Sequence, residues 1–249
     1  AAGARGAERG YLGVLLMDKA SSGPLATEED LMRLCRERRR AEDQPRRDAF
    51  RARTVNFIRH AAYMRLPKGH PDVYDPPLDP YYADAQLEHA ARKLEGRGVA
   101  EIYTSPARRC LESATRVSEL LGGVPVHVEP GLQEWNHDNT NLSLSFEEIC
   151  EFHPSINPAY VSRWPVVPDP ETREQLRERG RHMGLVLEQL GESALVVSHG
   201  SILANLMEGA SGYLDMEGNN FKCAGVCSLS MQSNEFINYN DALNDGCTI

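Results

Sequence analysis

The chain has 249 residues, of which 41% are hydrophobic, enough to bury the core of one large α/β domain or of two small ones. Its formal net charge of -9 argues against nucleic acid or an anionic membrane as the main partner, because both bind densely positive surfaces. Any site for an anion must therefore be local.

The six cysteines indicate a reducing compartment, because they are scattered without a C-x-x-C pair and several lie in apolar surroundings typical of core thiols. The start of the chain lacks the apolar core of a signal peptide, and no apolar run approaches the length that crosses a bilayer. We therefore predict a cytoplasmic protein that binds no membrane. Cys223 and Cys227 are four residues apart, but no second close pair of ligands accompanies them. We predict no metal site and no cofactor.

Residues 1–50 are predicted to form an N-terminal extension that contains one helix. Thr27, followed by three acidic residues, can cap the start of this helix, and the arginines at 36–40 suit its end. A polybasic contact site is the alternative, although acidic neighbours dilute the charge. If the protein forms a homo-oligomer, we expect this extension to make the contact.

Strands and helices alternate over residues 51–249, which we predict to form one α/β domain with a mostly parallel sheet flanked by helices. The predicted strands are 54–58, 101–104, 124–129, 194–198, 226–231 and 236–239. The predicted helices are 84–94, 105–121, 145–152, 169–190 and 202–207. Two of the helices begin with a capping residue and a proline at the first helical position, Ser105 with Pro106 and Asp169 with Pro170.

Two segments depart from this alternation. Residues 66–80 are too rich in proline for a helix or a central strand, so they form a long loop near the end of the first strand. Residues 136–168 form an insertion that is polar and then aromatic. We expect this insertion to provide a wall or a lid over a site, with a passive surface decoration as the alternative.

Five ionisable side chains lie just beyond the carboxyl ends of four predicted strands: Arg59, His60, Arg109, Glu134 and His199. In a parallel sheet these ends face the same side, where open α/β sheets bind their ligands. A single such residue carries little information, but the combination predicts one shared site for an anion.

The chemistry of these residue types favours phosphate over carboxylate. Guanidinium groups bind phosphate oxygens bidentately, and Gly200 at a helix start allows backbone N–H groups to approach the same anion. A neutral imidazole can attack phosphorus, and a nearby carboxylic acid can protonate the leaving oxygen. The sequence contains no P-loop and no metal-ligand cluster that would compete as a phosphoryl-transfer site.

Four motifs resemble those of the histidine phosphatase superfamily, the phosphoglycerate mutase-like proteins. Residues 57–61 resemble its R-H-G signature, residues 103–110 its S-P-x-x-R element, residues 128–135 its E-P-G-L-x-E-W element, and residues 196–200 its second-histidine element. The third motif, residues 146–160 and residues 223–228 look most like the branch with suppressors of T-cell receptor signalling and ecdysteroid-phosphate phosphatases. The resemblance implies a three-layer α/β fold.

The resemblance also implies a role for each site residue. His60 would be the phosphate-accepting nucleophile, and Glu134 would donate a proton and later activate water. The phosphate pocket would consist of Arg59, Arg109 and His199. Two positions depart from the family pattern: Ala61 replaces the signature glycine, and Tyr63 stands where this branch often has another arginine, for which Arg65 is a candidate substitute.

We therefore predict a phosphomonoester hydrolase that forms a phosphohistidine and uses no metal. Its substrate would be phosphotyrosine or another bulky phosphate ester, carried by a small molecule or a phosphoprotein. The alternative is a catalytically weak pseudo-phosphatase that binds a phosphorylated ligand or partner, since Ala61 adds a methyl group and Tyr63 removes a charge.

Overall fold

The structure is a computed structural model that describes residues 53–136, 146–164, 166–211, 221–230 and 235–243. The predicted extension over residues 1–50, with its helix, lies outside the described residues. The described helices and strands belong to the domain predicted over residues 51–249.

Six strands form one mixed sheet in the order β3-β2-β4-β1-β5-β6. They are β1 (Thr54–Arg59), β2 (Val99–Thr104), β3 (Val126–Val128), β4 (Ser193–Ser198), β5 (Val226–Ser230) and β6 (Glu235–Asp241). The first four strands in chain order are parallel to one another, whereas β5 is antiparallel to β1 and β6 is antiparallel to β5. The predicted, mostly parallel sheet is confirmed.

Helices cover both faces of the sheet, which gives the predicted three layers. They are α1 (Ala83–Leu94), α2 (Arg108–Leu120), α3 (Phe146–Phe152), α4 (Arg173–Glu188) and α5 (Gly200–Ser211). Successive residues of β4 alternate between two apolar clusters, as the period of a strand requires. Leu195 and Val197 pack in the cluster that includes α1 and α2, and Ala194 and Val196 pack in the cluster that includes α4 and α5.

The predicted start of α2 is wrong by several residues. The helix begins at Arg108 without a side-chain cap from its N-cap residue, Ala107, so Pro106 is not its first residue. Instead, the backbone N–H of Arg108 donates to a carboxylate oxygen of Asp75 at 2.7 Å. An acid from the proline-rich loop thus satisfies an unpaired N–H and opposes the positive end of the helix dipole.

The predicted cap of α4 is also wrong. The helix begins at Arg173, after Thr172 rather than after Asp169. Thr172 Oγ1 accepts from the Gln175 amide at 3.2 Å, and Gln175 Oε1 accepts from the Thr172 amide at 2.8 Å. This capping box satisfies two backbone donors reciprocally.

The described part of the predicted insertion packs against the edge of the sheet beside β3. Ile149 and Ile156 belong to the apolar cluster of α1 and α2. Ile156 forms a bridge with Val126, whose carbonyl oxygen accepts from the Asn157 amide at 2.7 Å. Residues 137–145 lie outside the described residues, and the role of a lid stays a prediction.

Glu129 joins this insertion to the end of β3. Glu129 is fully buried, and its carboxylate accepts hydrogen bonds from five groups. These are the amides of Gly131 (3.0 Å), Arg163 (2.8 Å) and Trp164 (3.2 Å) and the hydroxyls of Tyr160 (2.8 Å) and Ser162 (2.8 Å). Because buried polar groups need partners, this carboxylate fixes residues 160–164 to the strand.

None of the helices in the described ranges has the length and apolar character needed to span a bilayer.

Replacing Glu129 with Gln should lower the free energy of unfolding by about 3 kcal/mol, because the amide NH2 would face buried donors instead of accepting from them. Urea unfolding followed by circular dichroism measures the change. Glu178, which is exposed on α4, provides the matched control as Glu178→Gln, which should stay within about 0.5 kcal/mol of the wild type. A loss below about 1 kcal/mol for Glu129→Gln would contradict the anchoring role.

Candidate active site

The two histidines meet because β1 and β4 are neighbouring parallel strands. Their register pairs Arg59 with Ser198, and the backbone N–H of His60 donates to the Ser198 carbonyl oxygen at 2.9 Å. His60 and His199 therefore follow the two strands at the same level. Their ring centroids are 5.3 Å apart, and both residues are buried.

The hydrogen bond of the His60 ring identifies its tautomer. Nδ1 lies 2.8 Å from the Ala61 carbonyl oxygen, and since a carbonyl can only accept, Nδ1 must hold the proton. Burial, followed by the charges of Arg109 and Arg59, lowers the pKa of His60 well below its ordinary value. The ring is therefore neutral at pH 7, and Nε2 carries the lone pair that a nucleophile needs.

The His199 ring has the opposite tautomer. Arg109 Nη2, which can only donate, lies 3.1 Å from Nδ1, so the proton is on Nε2, 2.9 Å from the Ser105 hydroxyl oxygen. Burial, again followed by the charge of Arg109, lowers the pKa of His199 well below its ordinary value. The Cys110 sulfur is 3.3 Å from Nε2, and burial raises the pKa of this thiol to about 12. Cys110 therefore remains a neutral thiol.

Two guanidinium groups supply positive charge beside these neutral rings. Arg59 Nη1 donates to the Phe221 carbonyl oxygen at 2.8 Å, and Arg109 Nη1 lies 3.7 Å from the carboxylate of Asp75. The Nε atoms of Arg59 and Arg109 are both buried and have no hydrogen-bond partner. Such donors suit an anion with several acceptor oxygens, such as a phosphoryl group.

Glu134 provides the carboxyl group of the site. Its Oε2 lies 3.3 Å from His199 Nδ1 and 4.0 Å from Arg109 Nη2, while its Oε1 accepts from the Ser201 hydroxyl. The Glu134 side chain is 41% exposed, so water can reach it. A carboxyl group in this position can exchange a proton with a bound ester oxygen or with water.

The structure thus brings together four of the predicted site residues through direct ring or polar contacts, His60, His199, Arg109 and Glu134, and places Arg59 directly before His60. Arg65 is exposed on the loop after β1, and its place in the pocket stays a prediction. Tyr63 lies closer, with its ring centroid 5.3 Å from that of His60 and 5.5 Å from the guanidinium carbon of Arg109.

Ala61 does not direct its methyl group into open space beside the anion site. The residue is fully buried within the apolar cluster of α1 and α2. Its backbone N–H donates to the Ser113 hydroxyl at 3.0 Å. The extra methyl group therefore belongs to the core.

The sequence analysis did not identify Ser105, Ser201 or Asp75 as neighbours of the site. Ser201 follows Gly200 in the second-histidine motif, and this position was the only signal available for it. Asp75 lies 34 residues before Arg109 on a loop, and no local pattern connects them. Cys110, Cys150, Cys223 and Cys227 form no disulfide bond. Within the ranges that the structure describes, no group of three or more His, Cys, Asp and Glu could hold a metal ion.

The sequence model of the histidine phosphatase superfamily (branch 1) matches residues 48–237. No curated protein matches the chain at a significant level. The family match confirms the superfamily that the motifs predicted and, with it, the predicted enzyme class, a phosphatase.

Two solved structures show the same fold. The ecdysone phosphate phosphatase of Bombyx mori, in complex with tungstate, is 19% identical and has a TM-score of 0.60, with 79% of this chain and 96% of that chain covered. The mycobacterial glucosyl-3-phosphoglycerate phosphatase, in complex with VO3, is 21% identical and has a TM-score of 0.51, with 76% of this chain and 100% of that chain covered.

The two tautomers can be tested by 15N NMR of the chain with labelled histidine. At pH 6.5 we expect His60 to be neutral with its proton on Nδ1 and His199 to be neutral with its proton on Nε2, because burial lowers both pKa values. The variants His60→Gln and His199→Gln assign the signals. The urea-unfolded chain provides the reference pKa of the imidazoles, which is about 6.5. A His60 ring that is positively charged at pH 6.5, or protonated on Nε2 alone, would show that this account is wrong.

Proposed function

Because the chain belongs to the histidine phosphatase superfamily, we propose that it hydrolyses phosphate monoesters through a phosphohistidine at His60. The observation that supports this most is the state of the His60 ring. Its Nδ1 proton is held by the Ala61 carbonyl oxygen, and the ring is buried and neutral, so Nε2 is an unprotonated nitrogen beside two guanidinium groups.

The first step transfers the phosphoryl group to the enzyme. Arg59 and Arg109 bind the non-bridging oxygens and stabilise their charge in the transition state. Nε2 of His60 attacks phosphorus, the ester P–O bond breaks, and the leaving oxygen takes a proton from the carboxyl group of Glu134. The charge of the bound phosphate favours uptake of a proton from water at His199 Nδ1, which then donates to the phosphoryl group. This proton returns to water when inorganic phosphate leaves.

The second step releases phosphate. Glu134, now a carboxylate, takes a proton from a water molecule as that water attacks phosphorus, and the P–N bond to His60 breaks. Inorganic phosphate leaves, and the neutral imidazole and the protonated Glu134 are restored. The exposed side of Glu134 is where water can enter.

We propose an aromatic or otherwise bulky phosphate ester as the substrate, such as phosphotyrosine, in a small molecule or a phosphoprotein. The ring of Tyr63 supports this, because it lies beside the His60 ring, where a leaving group can pack against it. The two similar proteins are named for organic phosphate esters, ecdysone phosphate and glucosyl-3-phosphoglycerate. The proposal includes a cytoplasmic location, which the cysteines without a disulfide bond support.

The phosphohistidine can be trapped by rapid alkaline quenching of the enzyme with a 32P-labelled aryl phosphate, followed by mass spectrometry of the labelled peptide. We expect the label on His60, and we expect His60→Ala to lower kcat by at least about 1,000-fold, as loss of a nucleophile does. His182→Ala, on the exposed face of α4, is the control and should retain full activity. Full turnover by His60→Ala, or a label on another residue, would refute the mechanism.

Phosphate release from 4-nitrophenyl phosphate distinguishes the phosphatase from the pseudo-phosphatase that Tyr63 and Ala61 suggest. We expect the wild type to turn over, and we expect Tyr63→Arg to change kcat/KM by less than about tenfold, since the pocket already has two guanidinium groups. Ala61→Gly should give no gain, because the methyl group packs in the core. Activity that is near zero in the wild type and rises strongly in Tyr63→Arg would favour the binding protein.

A further inference from the structure

A buried ion pair lies behind the turn that carries Glu134. The side chains of Arg179, on α4, and Glu171, just before α4, are both 0% exposed. Arg179 Nε and Nη2 donate to the two carboxylate oxygens of Glu171 at 2.7 Å each. Removing two charges from water costs about as much as their attraction gains, so such a pair is a weak source of stability. Stability alone therefore does not explain why this ion pair is buried behind the turn.

Arg179 holds the chain directly before Glu134. Its remaining nitrogen, Nη1, donates to the carbonyl oxygens of Gly131 at 2.7 Å and Gln133 at 2.9 Å. The carbonyl between them, that of Leu132, accepts from the Ser198 hydroxyl at 2.6 Å. Three consecutive carbonyls of the turn are thus bonded to side chains that are themselves buried.

Glu171 holds the chain directly after Glu134. Its carbonyl oxygen accepts from the Trp135 indole N–H at 2.9 Å. Its backbone N–H donates to the Asn136 carbonyl oxygen at 2.7 Å. The Glu171 carboxylate oxygen Oε2 also accepts from the Asn136 amide at 3.5 Å, so the ion pair contacts the chain on both sides of Glu134.

The Glu134 side chain itself is 41% exposed and lies on no regular strand or helix. Proton transfer requires the carboxyl group within hydrogen-bond reach of the leaving oxygen, and an error of about 1 Å in such a position can cost about 100-fold in rate. An exposed carboxyl group on a turn meets this requirement only if its backbone is fixed.

We propose that the Arg179–Glu171 pair is a positioning device for the proton donor, which clamps the backbone around Glu134 so that its carboxyl group stays beside His199 and Arg109. This inference rests on the proposed role of Glu134 as the general acid. Neither Arg179 nor Glu171 contacts the reacting atoms. We expect them to act through Glu134, in the step in which a proton is transferred.

The test compares kcat/KM for phenyl phosphate and 4-nitrophenyl phosphate, two aryl esters of different leaving-group basicity. Phenolate is the stronger base and needs a proton, whereas 4-nitrophenolate leaves without one. We expect Arg179→Lys to lower kcat/KM on the order of 30-fold for phenyl phosphate and less than about threefold for 4-nitrophenyl phosphate. The lysine ammonium has three N–H donors at one point, so it cannot replace all of the hydrogen bonds that Arg179 makes to Glu171, Gly131 and Gln133.

A second variant, Arg179→Met with Glu171→Leu, replaces both charges by apolar side chains of similar size, an exchange that folds often tolerate. It should show the same selective loss. Arg181→Met is the matched control, because Arg181 lies on the same helix and pairs with Glu208 at the surface. The control should leave both esters unaffected.

Equal losses on the two esters, in parallel with a lower melting temperature, would show that the pair is only structural and would overturn the proposal. Failure of both variants to fold would overturn it as well. Glu134→Gln separates this outcome from a failure of the proposed function. If Glu134→Gln itself shows no selectivity between the esters, the general-acid role is wrong, and if it alone shows the selectivity, the positioning role is wrong.

Discussion

Between β1 and β4, the register pairs Arg59 with Ser198, and the amide of His60 donates to the carbonyl oxygen of Ser198. The next residue on each strand is a histidine, so this pairing sets the two rings side by side. A slip of one residue would turn the side chains of one strand to the opposite face of the sheet. The apolar alternation of β4 prevents such a slip, because Leu195 and Val197 must face one cluster and Val196 the other. The packing of the core thus determines the geometry of the site.

The same two positive charges serve the site in two ways. Arg59 and Arg109 can bind phosphoryl oxygens, and their charge also opposes protonation of the buried His60 ring. A nucleophilic imidazole must be neutral, and an anion site must be positive, so the two requirements support each other here. The Nδ1 hydrogen bond to Ala61 then selects which nitrogen is available. Burial contributes most to the neutral state, which is why the buried ends of the strands are the right place for these rings.

The residues at strand ends could be predicted from the sequence, because parallel strands place their carboxyl ends at one edge and His60, Glu134 and His199 each follow a strand. The starts of α2 and α4 could not. Ser105 and Asp169 have the residue type of a helix cap, but other residues bind the first backbone N–H groups of these helices. For α2 this residue is Asp75, which is distant in the sequence. The burial of Glu171 and Arg179 could not be predicted from the sequence either, because charged residues near a helix start are usually exposed to water.

In the parts of the site without a regular strand or helix, buried charged side chains hold the backbone in position. Five Asp, Glu and Arg residues are buried in the part of the chain that the structure describes: Arg53, Asp75, Glu129, Glu171 and Arg179. All but the first hold a loop or turn of the site. Asp75 connects the proline-rich loop to the start of α2, and the other three surround the turn before Glu134.

Buried charged side chains can hold a turn in place because of the hydrogen bonds that they offer. A strand or helix fixes its residues through its own backbone hydrogen bonds, whereas a turn leaves its carbonyl and N–H groups to find partners elsewhere. A buried charged side chain offers several directional hydrogen bonds at one point, and its burial makes any alternative arrangement costly. His60, Arg109 and His199 lie on or directly beside regular elements and need no such support. Glu134 lies on a turn, so the accuracy of its carboxyl group depends on the Arg179–Glu171 ion pair, which contributes little to stability.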